Sequence, residues 1–269
     1  LIAVARLTRP AALAGPIGLI YGPVQSHRFG RSLGINLLPP GLRLCSFDCR
    51  YCQCGGARVR SRRAGHAPFP SLESLRRALE QALATLGPID DICFAGAGEP
   101  TLHPEFREAV LLARALRDRR APSATVTVLS NGVAAGKPRV RGALALADRA
   151  VLKLDAARDD LLHALDGAPP GLTAARLIRQ YAALIGIETQ TMLVQGAVEN
   201  ASPEALDALG AALRFIHPRR AQVGTITRAP ADRQAAAGLV PLLPEDLERA
   251  VARLRRAAPG VDVTSYGIC

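Results

Sequence analysis

The chain has 269 residues, no tryptophan, one methionine, 4% aromatic residues and lysine only at Lys137 and Lys153. So few aromatics leave little to interleave with bases, which argues against a stacking platform for single-stranded nucleic acid. No run of eighteen uncharged apolar residues occurs, which excludes a transmembrane helix. The apolar stretch Leu1 to Tyr21 contains Arg6 and Arg9, is interrupted by Pro10 and Pro16, and lacks a clear cleavage site, so it is not read as a signal peptide. No internal repeat, low-complexity tail or interdomain linker is visible. Cysteines number six, with no second C-x2-C pair of the kind a four-ligand zinc site uses. A disulfide framework belongs to small scaffolds in oxidising surroundings, and this chain is not small.

What is present in abundance is apolar residues, at 49%, and arginine. The apolar share suffices for one large core, so a single domain over 1–269 is expected, with an extension at 1–36, a core at 37–230 and a C-terminal helix and strand at 231–269. The net charge is +11, and high Arg with little Lys also fits a GC-rich genome. Residues 28–63 hold eight arginines (28, 31, 43, 50, 58, 60, 62 and 63) against Asp48 alone, a net +7. That segment suits either the neutralising of an anionic centre held within it or an anionic partner: RNA, or an acidic or phosphorylated substrate.

In the middle of it lie Cys45-Ser46-Phe47-Asp48-Cys49-Arg50-Tyr51-Cys52, with C-x3-C-x2-C spacing. Three thiolates on one loop hold three irons of a [4Fe–4S] cube and leave one iron open to a small molecule. Cys54 crowds Cys52 too closely to share a zinc site with it. The loop resembles that of the radical S-adenosylmethionine (SAM) enzymes, and Tyr51 before the third cysteine strengthens the likeness. An exposed cluster loop needs a reducing compartment, so a cytoplasmic protein without membrane attachment is expected.

Downstream, short branched apolar runs alternate with helical patterns. Strands are expected at 89–95, 125–129, 150–154, 187–194, 221–226 and 261–264. Helices are expected at 72–86 (N-cap Ser71), 104–119, 157–166, 171–185, 203–215 and 245–257. The alternation implies βαβ units, right-handed crossovers and a parallel sheet, with the chemistry at the C-terminal strand ends. The resemblance sharpens this to an α/β fold: a partial (β/α)6 TIM-like barrel of the radical SAM type with a basic N-terminal extension.

SAM offers an ammonium, a carboxylate, a ribose diol, a sulfonium and an adenine. Gly96-Ala97-Gly98-Glu99 follows a strand, and its glycines permit close backbone approach. Its carbonyls or Glu99 suit the ammonium, and the run resembles the Gly-Gly-Glu motif of the superfamily with Ala97 in place of one glycine. Ser130 and Asn131 suit the carboxylate or ribose, or form a simple Asn-Gly turn. Lys153 and Asp155 share a strand face: Lys153 suits the carboxylate and Asp155 the diol, or the two form a buried ion pair. Gln190 and Met192 share the next face, lining the ribose or adenine, with core packing the other reading of Met192. Arg228, after the next strand, is either an anion binder or a solvated side chain. Cys93 reads as buried and inert. His27 is the better functional candidate among five scattered histidines. Neither Cys54 nor Cys269 is assigned a role.

The runs YGPVQSHRFGRSLGINLLPP (21–40), the cysteine loop with Gln53, and FAGAGEPTLHP (94–104) occur in order with SNG and TITRAP. Together, over residues 21–230, they resemble one radical SAM branch, the iron–sulfur oxidoreductases similar to wyosine-base synthases. No ligand set for a second cluster and no flavodoxin-like domain is evident. The resemblance implies that Cys45, Cys49 and Cys52 ligate [4Fe–4S] and that SAM chelates the open iron. Reduction by a partner such as flavodoxin or ferredoxin then yields a 5′-deoxyadenosyl radical that abstracts hydrogen from an anionic substrate (RNA, peptide or phosphorylated metabolite). The competing classes are a non-catalytic iron–sulfur module for electron transfer or sensing, and a zinc-dependent RNA-binding protein.

Overall fold

The computed structural model describes residues 18–54, the backbone of 57–59, and residues 68–266. The first part of the apolar N-terminal stretch, Arg58, Arg60, Arg62, Arg63, His66 and Cys269 lie outside the described residues or side chains. The chain opens with a hairpin, β1 (Ile20–Ser26) and β2 (Gly30–Ile35), followed by β3 (Leu42–Leu44) and β4 (Ala57–Val59). Then α1 (Leu72–Thr85), β5 (Asp91–Phe94), α2 (Phe106–Arg120), β6 (Thr125–Ser130), α3 (Pro138–Leu144) and β7 (Arg149–Lys153) alternate. They lead through α4 (Asp159–Asp166) and α5 (Ala174–Ala182) to β8 (Glu188–Gly196), α6 (Pro203–Ile216) and β9 (Arg220–Thr225). A short β10 (Leu239–Pro241), α7 (Pro244–Ala257) and β11 (Val263–Tyr266) end it.

The main sheet runs β1-β2-β5-β6-β7-β8-β9-β11, parallel from β2 to β11, with β1 antiparallel at one edge and β10 antiparallel on the end of β8. This is the expected α/β architecture, and all six expected strands are found, as β5 to β9 and β11. A seventh parallel strand, β2, comes from residues that the pattern alone places in the N-terminal extension. It is the strand that delivers the cysteine loop.

Local chemistry explains the helix starts. Ser71, Thr173 and Ser202 each accept a hydrogen bond from the backbone N–H three residues on, satisfying one orphan donor of the first turn. Pro203 and Pro244 stand at the first helical position, where a missing N–H costs nothing. Sheet residues such as Leu33, Ile35, Ile92, Phe94, Val126, Val128 and Leu152 form one continuous buried core with the inner faces of the helices.

The N-terminal end of the barrel is closed by polar chemistry. The β1–β2 turn brings the Phe29 ring into cation–π contact with the guanidinium groups of Arg28 (4.7 Å) and Arg149 (4.6 Å). Arg28 donates to Gln190 Oε1 and Gln222 Oε1 at 2.8 and 3.2 Å. Arg149 donates to both oxygens of buried Glu188 at 2.9 Å. Asp91 accepts from Ser32, Thr125 and Thr127. The turn between two antiparallel strands thus plugs the end of the barrel opposite to the cysteine loop.

Candidate active site

The site is built where β2 and β5 end. Asn36, just past β2, accepts from the Ala97 N–H through Oδ1 at 3.1 Å. The Leu44 N–H donates to the Ala97 carbonyl at 3.0 Å, and the Glu99 N–H to the Leu44 carbonyl at 2.9 Å. These bonds sew the start of the cysteine loop to the loop after β5. Gly98 makes the contact possible: its φ is +141°, and a Cβ there would lie 1.8 Å from the Leu44 carbonyl oxygen. Gly96, at φ +150°, would place a Cβ 2.5 Å from Asn36 Oδ1. The middle of the loop is held from below by α4, with Asp48 N–H on the Asp166 carbonyl (2.8 Å) and Arg50 N–H on the Leu165 carbonyl (2.9 Å).

Between these two loops lies a cavity open to solvent. Its wall is Cys45, Cys49, Cys52 and Cys54, with Arg43, Phe47, Gly96 and Gly98. The four cysteines are free and half-buried. Among the described residues no three His, Cys, Asp or Glu side chains converge on the position of a single ion. The thiols instead line a cavity, and a cluster takes one thiolate per iron, whereas a structural zinc gathers four ligands on one ion. Two glycines whose missing Cβ atoms keep the other wall in place complete a cradle that fits an iron–sulfur cluster.

Charge supports that fit. Arg43 pairs with Asp48, its Nη1 reaches the Cys54 carbonyl at 3.4 Å, and its Nε is buried without a hydrogen-bond partner. A hydrogen bond with Cys54, reinforced by Arg43, lowers the Cys52 thiol to about 6, while burial pushes Cys45 up to about 11 and raises Cys49 as well. The same contact with Cys52, with burial, keeps Cys54 protonated, and its Sγ lies 3.0 Å from the Gly96 carbonyl oxygen.

Beneath Cys49 sits a buried ionic cluster. Lys153 Nζ contacts the Tyr51 hydroxyl and Asp155 Oδ2, and lies 2.9 Å from Asp166 Oδ1. Burial works against the ammonium, but Asp155 and Asp166 hold its pKa well above the ordinary lysine value. Burial pushes Asp166 up to about 8 against the pull of Lys153. Asp155 is fixed from behind: Met192 N–H donates to its Oδ1 at 3.0 Å, and Asn200 Nδ2 to its carbonyl at 2.8 Å. For Lys153 and Asp155 the buried ion pair is therefore the arrangement found, with Tyr51 as its third member.

The structure brings together Cys45, Cys49, Cys52, Tyr51, Gly96, Gly98, Glu99, Ser130, Asn131, Lys153, Asp155 and Met192, all at the C-terminal strand ends. Several are committed to one another. Glu99 is buried and accepts from Thr101, Ser130 Oγ (2.8 Å) and the Asn131 N–H (2.7 Å). Asn131 Nδ2 donates to Ser46 Oγ at 2.8 Å and lies 3.5 Å from Cys45 Sγ. Two expectations are corrected. His27 is exposed on the β1–β2 turn, at the far end of the barrel, because that turn precedes β2 while the cysteines follow it. Gln190 spends its amide on Arg28 and on the Tyr266 hydroxyl (2.9 Å), so it belongs to the plug. Met192, like Tyr51, packs against the buried cluster of Leu165, Val194 and Val198. Arg228, half-buried after β9, has no hydrogen bond or ion pair among the described residues. Its loop is tied to the site by the Ala231 N–H on the Cys52 carbonyl, at 2.8 Å. The roles of Asp166 and Asn200 escape sequence reasoning, whereas Arg43 belongs to the basic segment expected to neutralise the centre it flanks. Only the Asp-Gly helix ending at 166–167 hinted at one of them.

A partial barrel of parallel strands, with a three-cysteine loop after its first parallel strand and a glycine-rich loop after the next, defines a class. The chain belongs to the radical SAM superfamily, whose sequence pattern matches residues 41–208, more than half of it. Within that superfamily it groups with the UPF0026 proteins: a UPF0026 protein of Synechocystis sp. is 31% identical over 78% of this chain and 76% of its own length. A protein of Brachyspira hyodysenteriae named GTPase Obg is 29% identical over 86% of this chain, which spans only 32% of that protein. Among solved structures, Streptococcus suis SuiB bound to S-adenosylmethionine superposes with a TM-score of 0.60 at 15% identity, over 86% of this chain and 51% of SuiB. TYW1 with a lysine-pyruvate adduct gives 0.52 at 13% identity, over 84% of this chain and 73% of TYW1. These neighbours share the fold. Among the described residues no helix is long and apolar enough to cross a membrane.

Proposed function

We propose that this protein is a radical SAM enzyme in which Cys45, Cys49 and Cys52 hold a [4Fe–4S] cluster beside bound SAM. The observation that carries this reading is the cavity bounded by those three thiols on one side and by the Gly96–Gly98 backbone on the other. When bound and reduced, the pair supplies a 5′-deoxyadenosyl radical that abstracts hydrogen from substrate. The protein's part is to bind, orient and exclude water.

Each residue has a share in that. The backbone at Gly96 and Gly98, free of side chains, would take the methionyl ammonium. Glu99 orients Ser130 and Asn131, and Asn131 in turn holds the cysteine loop through Ser46. Tyr51, Lys153 and Asp155 present a polar wall for the ribose, with Met192 as an apolar neighbour. Lys153 and Arg43 set positive charge beside Cys49 and Cys52, where an anionic centre needs it. Arg228, uncommitted among the described residues, is a cation that suits the anionic group of a substrate (RNA, peptide or phosphorylated metabolite). A cytoplasmic flavodoxin or ferredoxin suits the reducing role.

Anaerobic reconstitution with iron and sulfide, dithionite reduction and chromatography test this. Cluster absorbance together with 5′-deoxyadenosine formed from SAM is the expected result, and Cys→Ala at position 45, 49 or 52 abolishes both. Full iron content in any of those variants, or a protein that takes up zinc and no cluster, would overturn it.

A further inference from the structure

The wall of the cavity carries one thiol more than three-point ligation uses. Cys54 lines it together with Cys45, Cys49 and Cys52. Its Sγ lies 3.0 Å from the Gly96 carbonyl oxygen, in the loop assigned above to the methionyl ammonium. A second feature of the same wall points to a hydrogen-bond acceptor in the cavity. The Arg43 side chain is 12% exposed, and its Nε is buried with no hydrogen-bond partner. An N–H left unpaired in this way is costly until an acceptor arrives. Cluster sulfur or a ligating thiolate is such an acceptor, and Arg43 already holds the Cys54 carbonyl at 3.4 Å.

We propose that Cys54 ligates the fourth iron while SAM is absent and yields it when SAM binds. This rests on the cluster reading above. The thiol gives its proton to solvent as the sulfur–iron bond forms. SAM takes both partners of Cys54 at once, the iron through its amine and carboxylate and the Gly96 carbonyl through the amine N–H. The methionyl ammonium releases one proton as its amine binds the iron, the displaced thiolate takes one up, and no electron changes hands. Cys54 thereby closes the coordination shell of an iron that would otherwise face solvent and be lost, and it competes with SAM for that iron.

The test uses the full chain, reconstituted anaerobically, as wild type, Cys54→Ala and Cys54→Ser. Each is oxidised with ferricyanide without SAM, and the [3Fe–4S] signal is read by electron paramagnetic resonance. The wild type is expected to keep four irons, and Cys54→Ala to give a several-fold larger three-iron signal. SAM should protect both and erase the difference, and Cys54→Ala should bind SAM more tightly. Mössbauer spectra of ⁵⁷Fe-loaded wild type supply a readout free of any variant: a distinct fourth iron should emerge only after SAM is added. Equal three-iron yields in wild type and Cys54→Ala, or a distinct fourth iron already present without SAM, would overturn the proposal and leave the cluster reading intact. Failure of the wild type to take up any cluster would overturn both.

Discussion

Gly98 shows how much of the site hangs on single atoms. A methyl group there meets a backbone carbonyl at 1.8 Å, at a φ of +141° that other residues rarely adopt. The Leu44 carbonyl cannot swing away without breaking its bond to the Glu99 N–H. Gly98→Ala is therefore expected to open the cradle and cut iron retained after reconstitution to well under half. Gly142 is the control, since it lies in α3 and a Cβ added there would have nothing within 4 Å. Gly142→Ala should keep the iron and raise stability by about 0.5–1 kcal/mol, from helix propensity. Iron assay and denaturant midpoints check both. At this scale the cysteines are legible from their spacing, and the glycine pair from its place after a strand and downstream of the cysteine loop. The work of Glu99 was not: its partners Ser130 and Asn131 lie some thirty residues away, a pairing that only the β5–β6 register creates. Gln190 failed for a related reason. Period-two alternation gives the face of a strand but not which neighbours cross the barrel to meet it.

The elements were read best where a strand fed a helix, from β5 onward. The β1–β2 hairpin was missed because Gly22-Pro23 breaks its alternation and reads as a turn. Helix α3 was missed because seven residues, one of them Gly142, carry too little periodicity. The hairpin matters, since its turn plugs the barrel with Phe29 in contact with two guanidinium groups. Phe29 is 7% exposed. Phe29→Ala is expected to cost about 3–5 kcal/mol in denaturant unfolding. His27, two residues before it and exposed, should tolerate alanine with a stability change within about 0.5 kcal/mol and with SAM cleavage unchanged. A large loss of SAM cleavage in His27→Ala, at unchanged stability, would mean that the plug end takes part in the chemistry.

For the whole molecule, the basic segment divides between the two ends of the barrel. Arg28 and Arg31 serve the plug end, on Gln190 and on the Leu86 carbonyl. Arg43 and Arg50 serve the cysteine loop, on Asp48 and on the Ala235 and Ala237 carbonyls. The charge that looked like one patch in the sequence is thus partly spent on holding the fold, and this bears on how stability responds to acid. Glu188 is the test. Burial raises its carboxyl, but the paired bonds from Arg149, the Gln222 amide and the charge of Arg219 outweigh it, so its folded pKa is depressed. A depressed carboxylate contributes stability above its unfolded pKa of about 4.3 and loses it as pH falls through the lower folded value. Removing one partner of a buried ion pair costs about 3 kcal/mol or more, so Glu188→Gln should unfold that much more easily near neutral pH. Asp91 runs the other way, because burial raises it. It is present in wild type and variant alike and cancels in their difference. Urea titrations of the two proteins from neutral pH into acid should show the gap hold to about pH 4.3 and then close. A gap that stays constant through that range would mean that Glu188 is not the charged partner its two arginines make it.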